Sequence, residues 1–98
     1  MRRAAKVDQN QAAIVEYFRK AKFSVAITSS IGQGFPDLVV SFKGITWLVE
    51  CKMPKGRITE AQSDFLKTWQ GGHSFCRSVE SAALICEVMR QQSYLLVQ

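Results

Sequence analysis

Acidic residues are scarce: eight Asp and Glu stand against thirteen Lys and Arg, for a formal net charge of +5. Histidine occurs once, at His73, and cysteine three times, at Cys51, Cys76 and Cys86. Each scarcity excludes something. A lone histidine cannot build a paired-histidine base or a zinc site, so His73 reads as a surface residue. An odd number of cysteines with no C-x-x-C pair argues against a disulfide framework and fits a reducing cytoplasm. Cys76 and Cys86 then read as small buried hydrophobes. No apolar run is long enough to span a membrane, and no hydrophobic stretch follows the basic Met1-Arg2-Arg3 as in a signal peptide. There is no internal repeat, glycine-rich phosphate loop or low-complexity tract.

What is present is one domain. Ninety-eight residues with 47% apolar content should bury about two thirds of the unfolded surface in a single modest core. The expected unit is residues 1–98, with residues 1–7 a basic, flexible arm. The excess of bases suits a polyanionic partner.

Along the chain, Asp8 with Gln11 resembles a capping box opening a helix. Ile14, Tyr17, Phe18 and Ala21 recur at helical spacing as one buried stripe. Gln11 falls on the core side of that helix, whereas Glu16 falls opposite and reads as solvated. Phe23–Thr28 alternates into a strand. Ser29-Ser30-Ile31-Gly32-Gln33-Gly34 is a loop whose hydroxyls and backbone N–H groups suit a phosphate. Later, Thr59 caps a helix with Gln62 at the capping-box position; Gln62, Phe65, Leu66 and Trp69 share a face, so Gln62 points inward. Gly71-Gly72 closes that helix. His73–Arg77 is a fourth strand. Ser78 caps a last helix to about Gln91, and apolar Tyr94–Val97 is either an edge strand or a partner-binding tail. Helix, three strands, helix, strand, helix predicts an α/β fold: a mixed central β-sheet flanked by α-helices.

The informative stretch lies at the second and third strands. Leu38-Val39-Val40-Ser41-Phe42 and Ile45-Thr46-Trp47-Leu48-Val49 are β-branched and aromatic, and Lys43-Gly44 between them suits a tight hairpin. Pairing Phe42 with Ile45 sets Asp37 directly opposite Glu50. Facing carboxylates repel unless something lies between them, and a divalent cation such as Mg²⁺ is the natural occupant for hard oxygen ligands. Alternation puts Lys52 on the face of Glu50 and Cys51 on the other. Two carboxylates and an ammonium thus converge, a set that can hold a metal, activate water and steady a phosphate's charge. The following loop, Met53–Ile58, brings Lys55 and Arg57 close by as phosphate contacts.

Pro36-Asp37 followed by Glu50-Cys51-Lys52 matches the PD-(D/E)xK nuclease signature. With Gly34-Phe35, Gly56-Arg57-Ile58-Thr59, Gln62 and Phe65-Leu66 in order, the chain resembles the VRR-NUC (virus-type replication-repair nuclease) family from about Gln11 to the last helix. The resemblance implies a restriction-endonuclease-like core and a Mg²⁺-dependent DNA endonuclease, with Mn²⁺ substituting. It implies Asp37, Glu50 and the Cys51 main-chain carbonyl as metal ligands, with Lys52, Gln62 and Gln11 completing the catalytic set. Ser29, Ser30, Lys55 and Arg57 remain the candidate nucleic-acid contacts. With no added recognition module, structure-selective cutting of branched DNA, as by a Holliday-junction resolvase in replication, recombination or repair, is expected. Two cuts in a symmetric junction call for a homodimer. A phage or mobile-element setting follows only from the family. The rivals are a non-catalytic binding module of the same fold and a small basic protein whose acids are incidental.

Overall fold

Lys43 and Gly44 both adopt positive φ, at 49° and 86°, and form the two-residue turn whose twist matches flanking strands. A computed structural model of the chain describes residues 8–96; the expected basic arm, residues 1–7, lies outside them. Its elements are α1 (Gln11–Lys20), β1 (Ser24–Ile27), β2 (Leu38–Phe42), β3 (Ile45–Cys51), α2 (Glu60–Thr68), β4 (Gly72–Cys76) and α3 (Val79–Leu96). The sheet runs β1-β2-β3-β4. The first two pairings are antiparallel, and β4 joins β3 in parallel through the crossover that contains α2. This is the expected α/β arrangement, a mixed four-stranded sheet with three helices around it.

One face of the sheet carries the core. Leu38, Val40, Val49, Cys51 and Cys76 are buried there with Ile14 and Phe18 of α1 and Ala82, Cys86 and Met89 of α3. The three cysteines are free and buried, as hydrophobes of their size should be. Alternation sends Glu50 and Lys52 to the opposite face. There α2 lies: Phe65 meets Phe35 edge to face, with centroids 5.3 Å apart, and stacks on Trp69.

The end of α1 is a full Schellman motif. Phe23 N donates to Phe18 O and Lys22 N to Arg19 O, and the Phe18 and Phe23 rings lie 6.0 Å apart. Lys22, at φ 72°, occupies the left-handed position that glycine usually fills.

Several boundaries differ from expectation. The helix start at α1 is not capped by Asp8: Asn10 holds the cap position, without a side-chain cap bond. The first strand is shorter than Phe23–Thr28. The helix α2 ends at Thr68, and Gly72 begins β4 rather than closing the helix. No strand forms at Tyr94–Leu96, because α3 continues through Leu96 instead of stopping near Gln91. His73 is half-buried rather than fully at the surface: its Nε2 is enclosed without a hydrogen-bond partner, its ring meets Phe75 edge to face, and burial pulls its pKa down. Among the described residues no helix is long and apolar enough to cross a membrane.

Candidate active site at the β2–β3 hairpin base

The hairpin register pairs Phe42 with Ile45 and Leu38 with Val49. One step further along the same register, Asp37 stands opposite Glu50. The chain entering β2 is held by Thr28, whose N–H donates to Asp37 O at 2.7 Å and whose hydroxyl donates to Pro36 O at 2.8 Å. Asp37 Oδ2 accepts from Cys51 N at 2.9 Å, which locks the carboxyl against β3.

Glu50 is only 4% exposed. Its Oε2 accepts a hydrogen bond of 2.6 Å from Gln62 Nε2 and lies 3.9 Å from Lys52 Nζ. Gln62 completes the expected capping box, since its Oε1 accepts from Thr59 N while its own N–H bonds to the Thr59 hydroxyl. The capping box that starts α2 therefore aims Gln62 at Glu50. Gly34 allows this approach: at φ 84° it packs so closely on the Ala61 carbonyl that a Cβ has no room.

The electrostatics follow from burial. Burial first, and then the charge of Asp37, push the Glu50 carboxyl from 4.5 up to about 8; Lys52 opposes this without offsetting it. Burial also raises Asp37, against the pull of the Cys51 N–H bond. No neighbouring donor reaches the buried Glu50 Oε1; a proton shared with Asp37 satisfies the pair while Glu50 is neutral, but once both carboxyls ionise the oxygen is orphaned, which costs free energy unless something binds there. Two hard carboxylates that resist ionising side by side fit a divalent cation. Among the described residues no group of three His, Cys, Asp or Glu side chains could hold a metal, so side chains would supply only this pair. The Cys51 side chain lies in the core on the other face of the sheet, away from the two carboxyls, and burial raises its thiol well above its ordinary range.

These groups surround a cavity of about 230 Å³ lined by Asp8, Ser29, Gly34, Asp37, Glu50, Lys52 and Gln62, among others. Gln11 is buried, as its helical phase suggested, but stands one contact away: its Nε2 donates to Ser29 Oγ at 2.9 Å. Ser30, Lys55 and Arg57 are exposed and do not line the cavity. Glu16 is exposed and pairs with Lys20.

Three residues matter more here than their sequence suggested. Asp8 lines the cavity, and its Oδ2 accepts from Met53 N at 2.7 Å. Asn10 Nδ2 bridges the carbonyls of Lys52 and Arg77. Arg77 Nη1 donates to the carbonyls of Met53, Pro54 and Gly56, clamping the loop that carries Lys55 and Arg57. These partners lie up to 67 residues away, so no local pattern announces them. Asp8 alone carried a signal, as an acid just before the first helix.

Compared with known proteins, the chain matches no family model, no curated protein and no solved structure.

Proposed function

We propose that the chain is a divalent-metal-dependent endodeoxyribonuclease of the VRR-NUC type, acting on branched DNA. The observation that carries this reading is the buried Glu50 and Lys52 facing a second carboxyl, Asp37, in one cavity. A structural role for Glu50 and Lys52 gives no reason to bury them on a sheet face beside a second carboxyl.

Asp37 and Glu50 would hold the metal, with the Cys51 main-chain carbonyl as a further ligand. The chemistry supplied by bound Mg²⁺, or Mn²⁺ in its place, is polarisation of a phosphate oxygen and a lowered pKa for bound water. Lys52 places a positive charge where charge develops on the phosphate and where an attacking water would lie. Gln62 fixes the rotamer of Glu50, and Gln11 steadies Ser29 on the cavity wall. Lys55 and Arg57, on the loop clamped by Arg77, suit the flanking phosphates. The exposed residues Tyr94, Leu95 and Leu96 offer a surface for a second copy, as a junction-cutting pair requires. An intracellular setting fits the free cysteines.

The test is cleavage of labelled four-way junction, flap and linear duplex DNA in Mg²⁺ or EDTA, with Lys52→Ala and Asp37→Asn alongside. Metal-dependent cutting of branched DNA, lost in both variants, supports the reading. Tight binding with no cutting in Mg²⁺ or Mn²⁺ would leave a binding module.

A further inference from the structure

A second and larger concavity opens beside the site. Between α1 and the edge strand β1 runs a groove of about 730 Å³. Its floor is aliphatic: Ala12, Val15 and Ile27, the last 54% exposed. Its rim is basic, with Arg19, Lys20 and Lys22 against one acid, Glu16. Arg19 is partly engaged, donating to Val25 O on the sheet edge, and Lys20 lies 3.9 Å from Glu16. Lys22 forms no ion pair among the described residues.

One end of the groove reaches the site. Gln11 lines the groove, and its hydrogen-bond partner Ser29 lines the catalytic cavity. From Gln11 the rim extends along α1 to Lys20, about 14 Å at 1.5 Å per residue. That is about four steps of a stacked strand at 3.4 Å per nucleotide.

Lys22 adds a second observation. A Schellman motif favours glycine at the residue with positive φ, because a Cβ there costs about 1 kcal/mol or more. The chain instead places a lysine there, and Lys22 is one of the residues lining the groove.

We infer that this groove binds single-stranded DNA running from the catalytic cavity, with bases on the Val15–Ile27 floor and phosphates along Arg19, Lys20 and Lys22. A polyanion complements the rim, and an aliphatic floor suits the unpaired bases of a single strand better than the fully charged exterior of a duplex. The inference deepens the nuclease reading and rests on it for the substrate: an unpaired arm leaving a branch point would be gripped here, and intact duplex would not.

The test uses the whole chain in EDTA, so that binding is read apart from cutting. Fluorescence anisotropy follows a labelled thymidine homo-oligonucleotide, its duplex with adenosine, and polyglutamate across a salt series. Lys22→Gly should raise Tm, because it relieves the positive φ, yet weaken single-strand binding several-fold. The slope of log K against log salt should shrink by about 0.7, the loss of one phosphate contact. NMR shifts of the Val15 and Ile27 methyls should move with the oligonucleotide. Unchanged affinity and slope in Lys22→Gly would overturn the inference. So would duplex binding as tight as single-strand binding, or equal binding of polyglutamate with the same Lys22 dependence, which would assign the groove to acidic peptides. Strand binding through Lys22 in a chain that never cuts supports the groove and overturns the nuclease reading alone.

Discussion

Gln62 joins two elements that are distant in function: its amide oxygen accepts from Thr59 N in the cap of α2, and its amide nitrogen donates to Glu50 Oε2 at 2.6 Å. Helix initiation and carboxylate orientation thus depend on one side chain. The two roles separate by mutation. Thr59→Ala removes its side chain's cap bond and should cost about 1 kcal/mol. Gln62→Ala removes that cap's return bond and also strips a buried acceptor of its donor, so it should cost about 2 kcal/mol. Urea denaturation measures both. Metal-dependent cleavage should fall much further in Gln62→Ala than in Thr59→Ala; equal losses would assign Gln62 to the helix alone.

Without metal the site should become a liability in base. Glu50 in the folded chain titrates near 8, against 4.5 unfolded, and Asp37 is raised in the same direction. The folded state therefore holds protons that the unfolded state releases. The associated stability is complete below about 4.5 and is lost as pH rises through about 8. In EDTA, Tm should fall across that window, and Glu50→Gln should flatten the fall. Mg²⁺ should raise Tm most on the alkaline side, where both carboxylates are ready to ionise. A pH-independent difference between wild type and Glu50→Gln would contradict the coupled pair.

Lys52 is the sharpest probe of chemistry as distinct from folding. Its ammonium is nearly buried, 3.9 Å from Glu50 Oε2, where a positive charge acts in a low dielectric. Loss of one such preorganised group typically costs a rate factor of about 10² to 10³. Lys52→Ala should lose cutting on that scale while still binding DNA in EDTA. Single-turnover cleavage and anisotropy separate the two; retained cutting would place the chemistry elsewhere.

Much of this geometry was legible because it is local or periodic. Lys43-Gly44 set the hairpin register, and the register set Asp37 against Glu50; strand alternation then placed Lys52 beside Glu50. The Thr59–Gln62 spacing marked the capping box that is observed. Asp8 misled for a physical reason: its spacing to Gln11 resembles a cap, but its carboxylate is better satisfied by the N–H of Met53, 45 residues away. Tyr94-Leu95-Leu96 has strand-like composition, yet continuation of an existing helix needs no new nucleus. The half-burial of His73 follows from its packing on Phe75, which the fourth strand expected at His73–Arg77 does not by itself reveal. The α1–β1 groove was invisible because it belongs to two elements brought together only by the fold.

The loop after β3 depends on one guanidinium. Arg77 Nη1 reaches the carbonyls of Met53, Pro54 and Gly56 at 2.9–3.2 Å. Arg77→Ala should destabilise the fold by about 1 to 3 kcal/mol, since charged hydrogen bonds are lost together. Trypsin reports on it directly, because Lys55 and Arg57 are exposed cleavage sites in the released segment. Cleavage there should accelerate in Arg77→Ala under native conditions, and Arg77→Lys should restore part of the protection. An unchanged cleavage rate would mean that Asp8 and Asn10 hold the loop without Arg77.

Gly34 tests whether α2 must sit where it does for the site to exist. At φ 84°, any side chain is strained there, and a Cβ would collide with the Ala61 carbonyl at the start of α2. That carbonyl belongs to main chain and cannot swing aside as a long side chain would. Gly34→Ala should therefore move the first turn of α2, which carries Gln62 away from Glu50. A destabilisation of about 2 kcal/mol or more is expected from backbone strain and overlap together. Gly44→Ala is the control: Gly44 also has positive φ, but its Cβ would meet open space and it does not line the cavity. It should share the strain without disturbing α2. If the two variants lose cleavage equally after correction for stability, the position of α2 does not govern the site, and the Gln62–Glu50 bond is a consequence of helix packing only.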